Sequence, residues 1–176
     1  MTRILLIYSS VHGHTLKICE RIKQQIQEAA KSEIEVTLAP LSDTPSLESF
    51  DKIYIGASIR HGKHRPALYQ FIEQNKAILE SRPSGFFSVS LVARKPNKNT
   101  PETNAYMQTF LQQSAWKPTL LQTFAGNLDY QGYGVFDRNI IRFIMWITKG
   151  PTDPNTNVVF TDWNKVDEYA NAMIKA

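Results

Sequence analysis

Five consecutive apolar residues, Ile4 to Tyr8, run into a polar turn and then straight into a stretch of helical periodicity. This succession restricts the fold more than any other feature. A strand that is apolar on both faces must be covered on both, and a parallel neighbour requires a crossover long enough to hold a helix. The unit recurs along the chain. Strand-like segments cover Ile34–Ala39, Lys52–Ala57, Gly85–Val92 and Leu120–Ala125, with a further short one at Val158–Thr161. Between them, Ile18, Cys19, Ile22, Ile26 and Ala29 form one helical stripe over Thr15–Ala30. Pro66 suits the first position of a second helix with Leu68, Phe71, Ile72 and Leu79 inward. Thr100 reads as the cap of a third, with Pro101 at its first position and Glu102 in its first turn. Asp162–Ile174 closes the chain as a last helix. The pattern predicts an α/β fold, a doubly wound parallel sheet with helices on both faces, in a single domain over residues 1–176.

Segment 127–150 breaks the alternation. Gly126, Gly132 and Gly134 lie among Tyr130 and Tyr133, and a helical stretch follows from Val135 to Lys149. Phe136, Ile140, Phe143, Ile144 and Ile147 fall on one stripe, with Arg138, Arg142 and Lys149 on another face. Such a helix either packs into a core or lies on an anionic bilayer. The charge is uneven as well: the net value is +4, but residues 81–150 carry eight Lys/Arg against three Asp/Glu. A basic island of this kind faces an anionic partner or is simply solvated. One cysteine, Cys19, excludes an internal disulfide and a Cys-based zinc module, and its apolar stripe marks it as a buried small hydrophobe. The chain carries no signal-peptide pattern and no apolar run long enough to span a bilayer, so the expected compartment is the cytoplasm.

Chemistry is expected where strand ends meet helix starts, because ligands of open parallel sheets bind outside the carboxyl ends of the strands. The first strand runs into Ser9-Ser10-Val11-His12-Gly13-His14-Thr15. Hydroxyls, a flexible glycine and backbone N–H groups would surround one point at a positive helix end, a seat for phosphate. The loop has neither the Walker A spacing nor G-x-G-x-x-G, which favours a single phosphate over a pyrophosphate. An ordinary capped turn is the plainer alternative. His12-x-His14 and His61-x-x-His64 lack an accompanying carboxylate or cysteine at ligand spacing, so no metal is expected. Nucleic-acid binding has no recognisable motif.

The string Tyr8–Thr15 resembles the FMN-phosphate loop of flavodoxins, S/T-x-T-G-x-T after the first strand. Ser10, Gly13 and Thr15 match, while Val11 and His12 replace hydroxyl residues of that pattern. Further on come Ile55-Gly56-Ala57-Ser58-Ile59-Arg60-His61-Gly62 and Phe87-Ser88-Val89-Ser90-Leu91-Val92-Ala93-Arg94-Lys95-Pro96. With the tyrosine loop 129–134, the helix 135–149 and Phe160-Thr161-Asp162-Trp163, they closely resemble the menaquinone-dependent protoporphyrinogen IX dehydrogenases of bacterial haem synthesis, over essentially the whole chain.

That resemblance implies a flavodoxin-like five-stranded sheet of order 2-1-3-4-5 with an insertion at 127–150. It implies noncovalent FMN, with the phosphate on Ser9, Ser10, Val11, His12, Gly13, His14 and Thr15. The ring would then lie against Ser58, Ile59 and Arg60 and against Ser88, Val89, Ser90, Leu91, Val92, Ala93 and Arg94. It implies oxidation of protoporphyrinogen IX with electrons passed to menaquinone or ubiquinone, at the cytoplasmic face of the inner membrane. Arg60, Lys63, Arg65, Arg94 and Lys95 are candidates to pair with the substrate's propionates. The ring loops contain no Trp or Tyr, so one flavin face is expected to stay open to a flat substrate. No catalytic acid or base stands out. Helix 135–149 becomes a candidate contact with the membrane surface, and association with a second copy of the chain stays open. A flavodoxin-like NAD(P)H:quinone oxidoreductase and an electron-carrier flavodoxin are the alternative readings; the basic balance and the missing ring-stacking aromatics weigh against the carrier.

Overall fold

The computed structural model describes residues 1–176. Its centre is a parallel sheet of five strands, β1 (Thr2–Ser9), β2 (Ile34–Pro40), β3 (Lys52–Ser58), β4 (Ser84–Ser90) and β5 (Leu120–Ala125). They stand in the order β2-β1-β3-β4-β5, so the direction of winding reverses beside β1. The parallel pairing and strand order expected of a doubly wound sheet are met.

The continuous apolar strands follow from double burial. Ile4 and Leu6 of β1 point to one face, where they meet Ile18, Ile22 and Ile26 of α1 (His14–Ala30) and Val166, Ala170 and Met173 of α5 (Trp163–Lys175). Leu5 and Ile7 point the other way, against Leu68, Ile72 and Leu79 of α2 (Pro66–Glu80) and Met107 and Phe110 of α3 (Ala105–Gln113). Phe86 and Phe87 repeat the division on β4. Each large side chain buried this way contributes on the order of 1.5–3 kcal/mol.

Helix α3 begins later than its sequence signal. Asn104, not Thr100, is the cap, accepting from the Met107 amide at 3.1 Å. Thr100 and Thr103 instead close a turn on one another, their hydroxyls 2.7 Å apart. Both residue types satisfy free amides equally well, so local composition did not separate them.

The excursion after β5 is wider than the segment 127–150. Strand β6 (Asn127–Asp129) pairs antiparallel with β7 (Asn157–Val159), away from the main sheet. Helix α4 (Val135–Ile147) is carried between them. Leu128, Tyr130, Tyr133 and Met145 form a small apolar cluster under this lobe. At its far end α4 stops cleanly: Lys149 turns left-handed at φ 59°, and the Gly150 amide donates to the Met145 carbonyl at 2.7 Å. The single apolar stripe expected on α4 is divided. Ile140 and Ile144 turn inward, whereas Phe136, Phe143 and Ile147 are exposed together with Trp146.

Candidate functional site

Three loops at the carboxyl end of the sheet and the inner face of α4 enclose a cleft of about 880 Å³, part of it open to solvent. Its base is the turn after β1. Gly13 is left-handed at φ 84°, a conformation that a side chain disfavours, and it delivers the chain into α1. The Gly13 amide donates to Ser10 Oγ at 2.9 Å, which tightens the loop. The Thr15 side chain is buried, yet Oγ1 has no partner in the protein. A buried hydroxyl without a partner costs about 1–3 kcal/mol unless something supplies one. It lies in the first turn of a 17-residue helix with no acidic residue in that turn. The positive helix end, the unpartnered hydroxyl and the tight turn together fit an anion such as phosphate.

His14 is held from the opposite side. Thr161 Oγ1 donates to the Ala125 carbonyl at 2.7 Å, so it can only accept from His14 Nε2, also at 2.7 Å. Nε2 therefore carries the proton. Burial, and secondarily Lys17, lowers the pKa of His14 and keeps the ring neutral.

The second wall is a two-residue turn after β3. Arg60 and Lys63 exchange backbone hydrogen bonds of 2.9 and 3.2 Å, with His61 and Gly62 both at positive φ. The turn lifts the Arg60 and His61 side chains to the rim. The third wall follows β4, where the Ile59 amide donates to the Val89 carbonyl at 3.0 Å and joins the two loops.

Of the residues expected around a cofactor, Ser10, Val11, His12, His14, Thr15, Ser58, Ile59, Arg60, Val89, Ser90, Leu91 and Val92 line this one cleft. Gly13 shapes the loop from behind. Ser9 and Ala93 are buried outside the lining, and Ser88 turns away to His64 Nε2 at 2.9 Å. Among the five cations expected to meet carboxylates, Arg60 alone lines the cleft. Arg94 is engaged elsewhere: it donates to the Leu91 carbonyl at 2.8 Å and to Thr148 Oγ1 at 3.1 Å, fastening the end of α4. Lys63, Arg65 and Lys95 lie outside the lining.

Tyr106, Tyr133 and Asp137 line the cleft without having been singled out from sequence. Tyr133 stands beside His12 with ring centroids 4.7 Å apart. Asp137 meets His61 Nε2 at 2.7 Å, Arg60 at 3.6 Å and His12 at 3.7 Å. The His61 hydrogen bond, followed by the neighbouring Arg60 and His12, holds its carboxyl below the ordinary carboxylate range against the opposing effect of burial. His12 is lowered by burial first, with Asp137 pulling the other way.

A strand order reversing at β1, with a tight glycine turn leading from that strand into a helix start, defines a flavodoxin-type domain, and a family model described as a flavodoxin domain matches residues 5–155. The chain is 40% identical over 169 residues to the protoporphyrinogen IX dehydrogenase (quinone) of Leishmania major, spanning 96% of this chain and 73% of that protein. Against the enzyme of the same name from Escherichia coli K12 the identity is 38% over 171 residues, 97% of this chain and 94% of that one. The chain belongs to the protoporphyrinogen IX dehydrogenase (quinone) family. Solved flavodoxins share the fold. Oxidised flavodoxin 1 of Bacillus cereus superposes with a TM-score of 0.55 at 17% identity, over 99% of this chain and 98% of that one. Two-electron reduced flavodoxin of Megasphaera elsdenii gives 0.58 at 14% identity, over 98% and 99%.

Proposed function

We propose that this chain oxidises protoporphyrinogen IX to protoporphyrin IX with FMN as cofactor and a quinone as electron acceptor. The observation that carries this reading is the 38% identity spanning 97% of this chain and 94% of the Escherichia coli enzyme. The flavodoxin domain implies FMN, and the seat at the start of α1 suits its phosphate. When bound, FMN supplies two-electron redox chemistry, so removing six electrons from the porphyrinogen takes three rounds.

The chain's own residues provide position and shelter. Loop 9–15 takes the phosphate, with Thr15 Oγ1 gaining the partner it lacks and the α1 amides facing the charge. Loops 58–60 and 88–94 border the ring. Ile140, Ile141 and Ile144 of α4 give the cleft an apolar wall suited to a flat tetrapyrrole. Arg60 is the cation available to a propionate, and the other four basic candidates act, if at all, from outside the cleft.

A quinone is a lipid, so the site must reach a bilayer surface. No helix is long and apolar enough to cross a membrane. The outer face of α4 supports surface docking instead: Phe136 and Trp146 are each 71% exposed, Phe143 60% and Ile147 59%. Arg138 and Arg142 of the same helix are half-buried and donate to the Tyr130 and Thr152 carbonyls, and Lys149 at its end is exposed, a basic helix suited to an anionic bilayer.

The test is direct. Protein stripped of flavin is titrated with riboflavin 5′-phosphate, and the loaded protein is then mixed anaerobically with protoporphyrinogen IX and a quinone. Flavin binding with porphyrin fluorescence that appears only when quinone is present is the expected result. A protein that takes up flavin yet leaves porphyrinogen unoxidised overturns the substrate assignment.

A further inference from the structure

Asp137 is the one acidic side chain in the lining of the cleft, and it sits where an arginine and two histidines converge. Three donors from two separate loops point at it: His12 from the turn after β1, and Arg60 and His61 from the turn after β3. The carboxylate itself arrives from α4. Its side chain is 14% exposed, whereas those of its three partners are 32–43% exposed. The helical stripe that continues from Asp137 is Ile140, Ile141 and Ile144, all lining the same cleft. One edge of the cleft is therefore a carboxylate held by Arg60 and two imidazoles, and the neighbouring wall is aliphatic.

A tetrapyrrole has the same division, with carboxylates along one edge and an apolar body. We propose that the Asp137 carboxylate is an internal stand-in for a substrate propionate, occupying a seat built by His12, Arg60 and His61 until the substrate takes its place. The proposal rests on the reading of the cleft as a tetrapyrrole site and adds the seat, its residues and its resident competitor. His61 Nε2 faces a carboxylate oxygen at 2.7 Å, so that nitrogen is the donor whichever carboxylate is present. Arg60 reaches the other oxygen at 3.6 Å, a loose contact that an incoming carboxylate can shorten into a forked pair. Exchange would leave the charge of the seat unchanged and free the first turn of α4 from the rim.

Removing the competitor should therefore improve binding of the ligand. In FMN-loaded protein, Asp137→Asn is expected to bind protoporphyrin IX about fivefold more tightly than the parent, the scale of one partly exposed charge contact. The dimethyl ester, which has no free carboxylate, should bind both proteins alike. Arg60→Gln should weaken the free acid and not the ester. Porphyrin fluorescence and quenching of the protein's tryptophans read binding without turnover. Equal or weaker binding of the free acid to Asp137→Asn, in a protein whose parent oxidises porphyrinogen, overturns the seat and leaves the enzyme assignment standing. The same gain for acid and ester also overturns it, since that marks a loosened α4. A parent that neither binds porphyrin nor oxidises porphyrinogen rejects the enzymatic reading, and the seat falls with it.

Discussion

The sheet body and the lobe spanning residues 126–160 solve the burial problem in opposite ways. In the body each face of the sheet meets a cluster of fifteen buried apolar residues, and the covering helices turn their apolar stripes inward. The lobe has four such residues. Of α4 only Met145 is buried, and its aromatic residues face outward. An amphipathic helix whose larger apolar side chains remain in water lacks its main source of stability. It is held instead by point contacts: the Asp137 cluster at its start, Arg138 and Arg142 donating to the Tyr130 and Thr152 carbonyls, and Arg94 at its end. The body is a densely packed platform from whose strand ends the cleft loops spring. The lobe is a thinly packed cover over the cleft that leaves Phe136, Phe143, Trp146 and Ile147 in solvent.

The sharpest way to break this contrast is to injure the body. Phe87 is fully buried and packs edge-on against Phe124 at 5.3 Å and Tyr169 at 5.7 Å. Phe87→Ala should lower the unfolding free energy by about 3–5 kcal/mol in urea titrations. A loss below about 1 kcal/mol would mean that stability does not reside where the packing is densest.

A second probe uses acid. His64 is buried between Phe86 and Phe110, and burial pushes its pKa down to about 4. The unfolded chain takes up that proton near the ordinary value of about 6.5, so it binds more protons than the folded state between the two. Stability should fall as pH drops through this window, by up to about 3 kcal/mol from His64 alone. His12 and His14, lowered in the same direction, add to the trend. Asp137 acts in the same direction but further down: its pKa is depressed, so its contribution is present above 3.8 and is lost as pH falls through a lower value. His64→Leu should cost stability at pH 7, by orphaning Ser88 Oγ, yet flatten the slope between pH 6.5 and 4. An unaltered slope would assign the acid sensitivity to His12 and His14 at the turn after β1 instead.

The proposed phosphate seat, the turn at 9–15, lies where body and lobe meet, with His12 beside Tyr133 and His14 bonded to Thr161. Thr15→Val should weaken FMN by about tenfold, near 1.4 kcal/mol, in a fluorescence titration. The flavin-free protein should melt no lower than the parent, because the lost hydroxyl has no partner there. Lower stability without flavin, with affinity preserved, would make Thr15 a packing residue.

How much of this could be read from the amino acids depends on the range of the interactions. The strands and the helix stripes of the body are short-range patterns, and double burial writes them as apolar runs such as Ile4 to Tyr8. The turn at 9–15 was legible for the same reason, since hydroxyls, glycine and a helix start are neighbours in sequence. Asp137 was not: a single carboxylate on a helix has no spacing signal, and its partners lie 76 and more residues away. Tyr106 and Tyr133 reach the cleft from a helix start and from the lobe, which only the tertiary path brings together. The pairing of β6 with β7 was hidden because three-residue strands carry too little alternation to declare a partner. Arg94 looked like a ligand for carboxylates because its loop follows a strand end, and the contact that occupies it belongs to Thr148, 54 residues on.

The smallest expected effect on stability decides what the cover is for. Phe143 and Trp146 are neighbours on the outer face of α4, ring centroids 6.2 Å apart, and both are largely exposed. Exchanging each for Ser gives up only the covered minority of each side chain, so unfolding free energy should shift by no more than about 1 kcal/mol per site. If the face is merely a solvated surface, nothing else changes. If it rests on a bilayer, two aromatic side chains lose their contact with the acyl boundary, and co-sedimentation with anionic phosphatidylglycerol vesicles should weaken at least about tenfold. Oxidation with a water-soluble quinone analogue would then be preserved while oxidation with a long-chain quinone in vesicles falls. Equal losses with both acceptors would place Phe143 and Trp146 in the cleft's own workings, and the division between platform and cover would have to be redrawn.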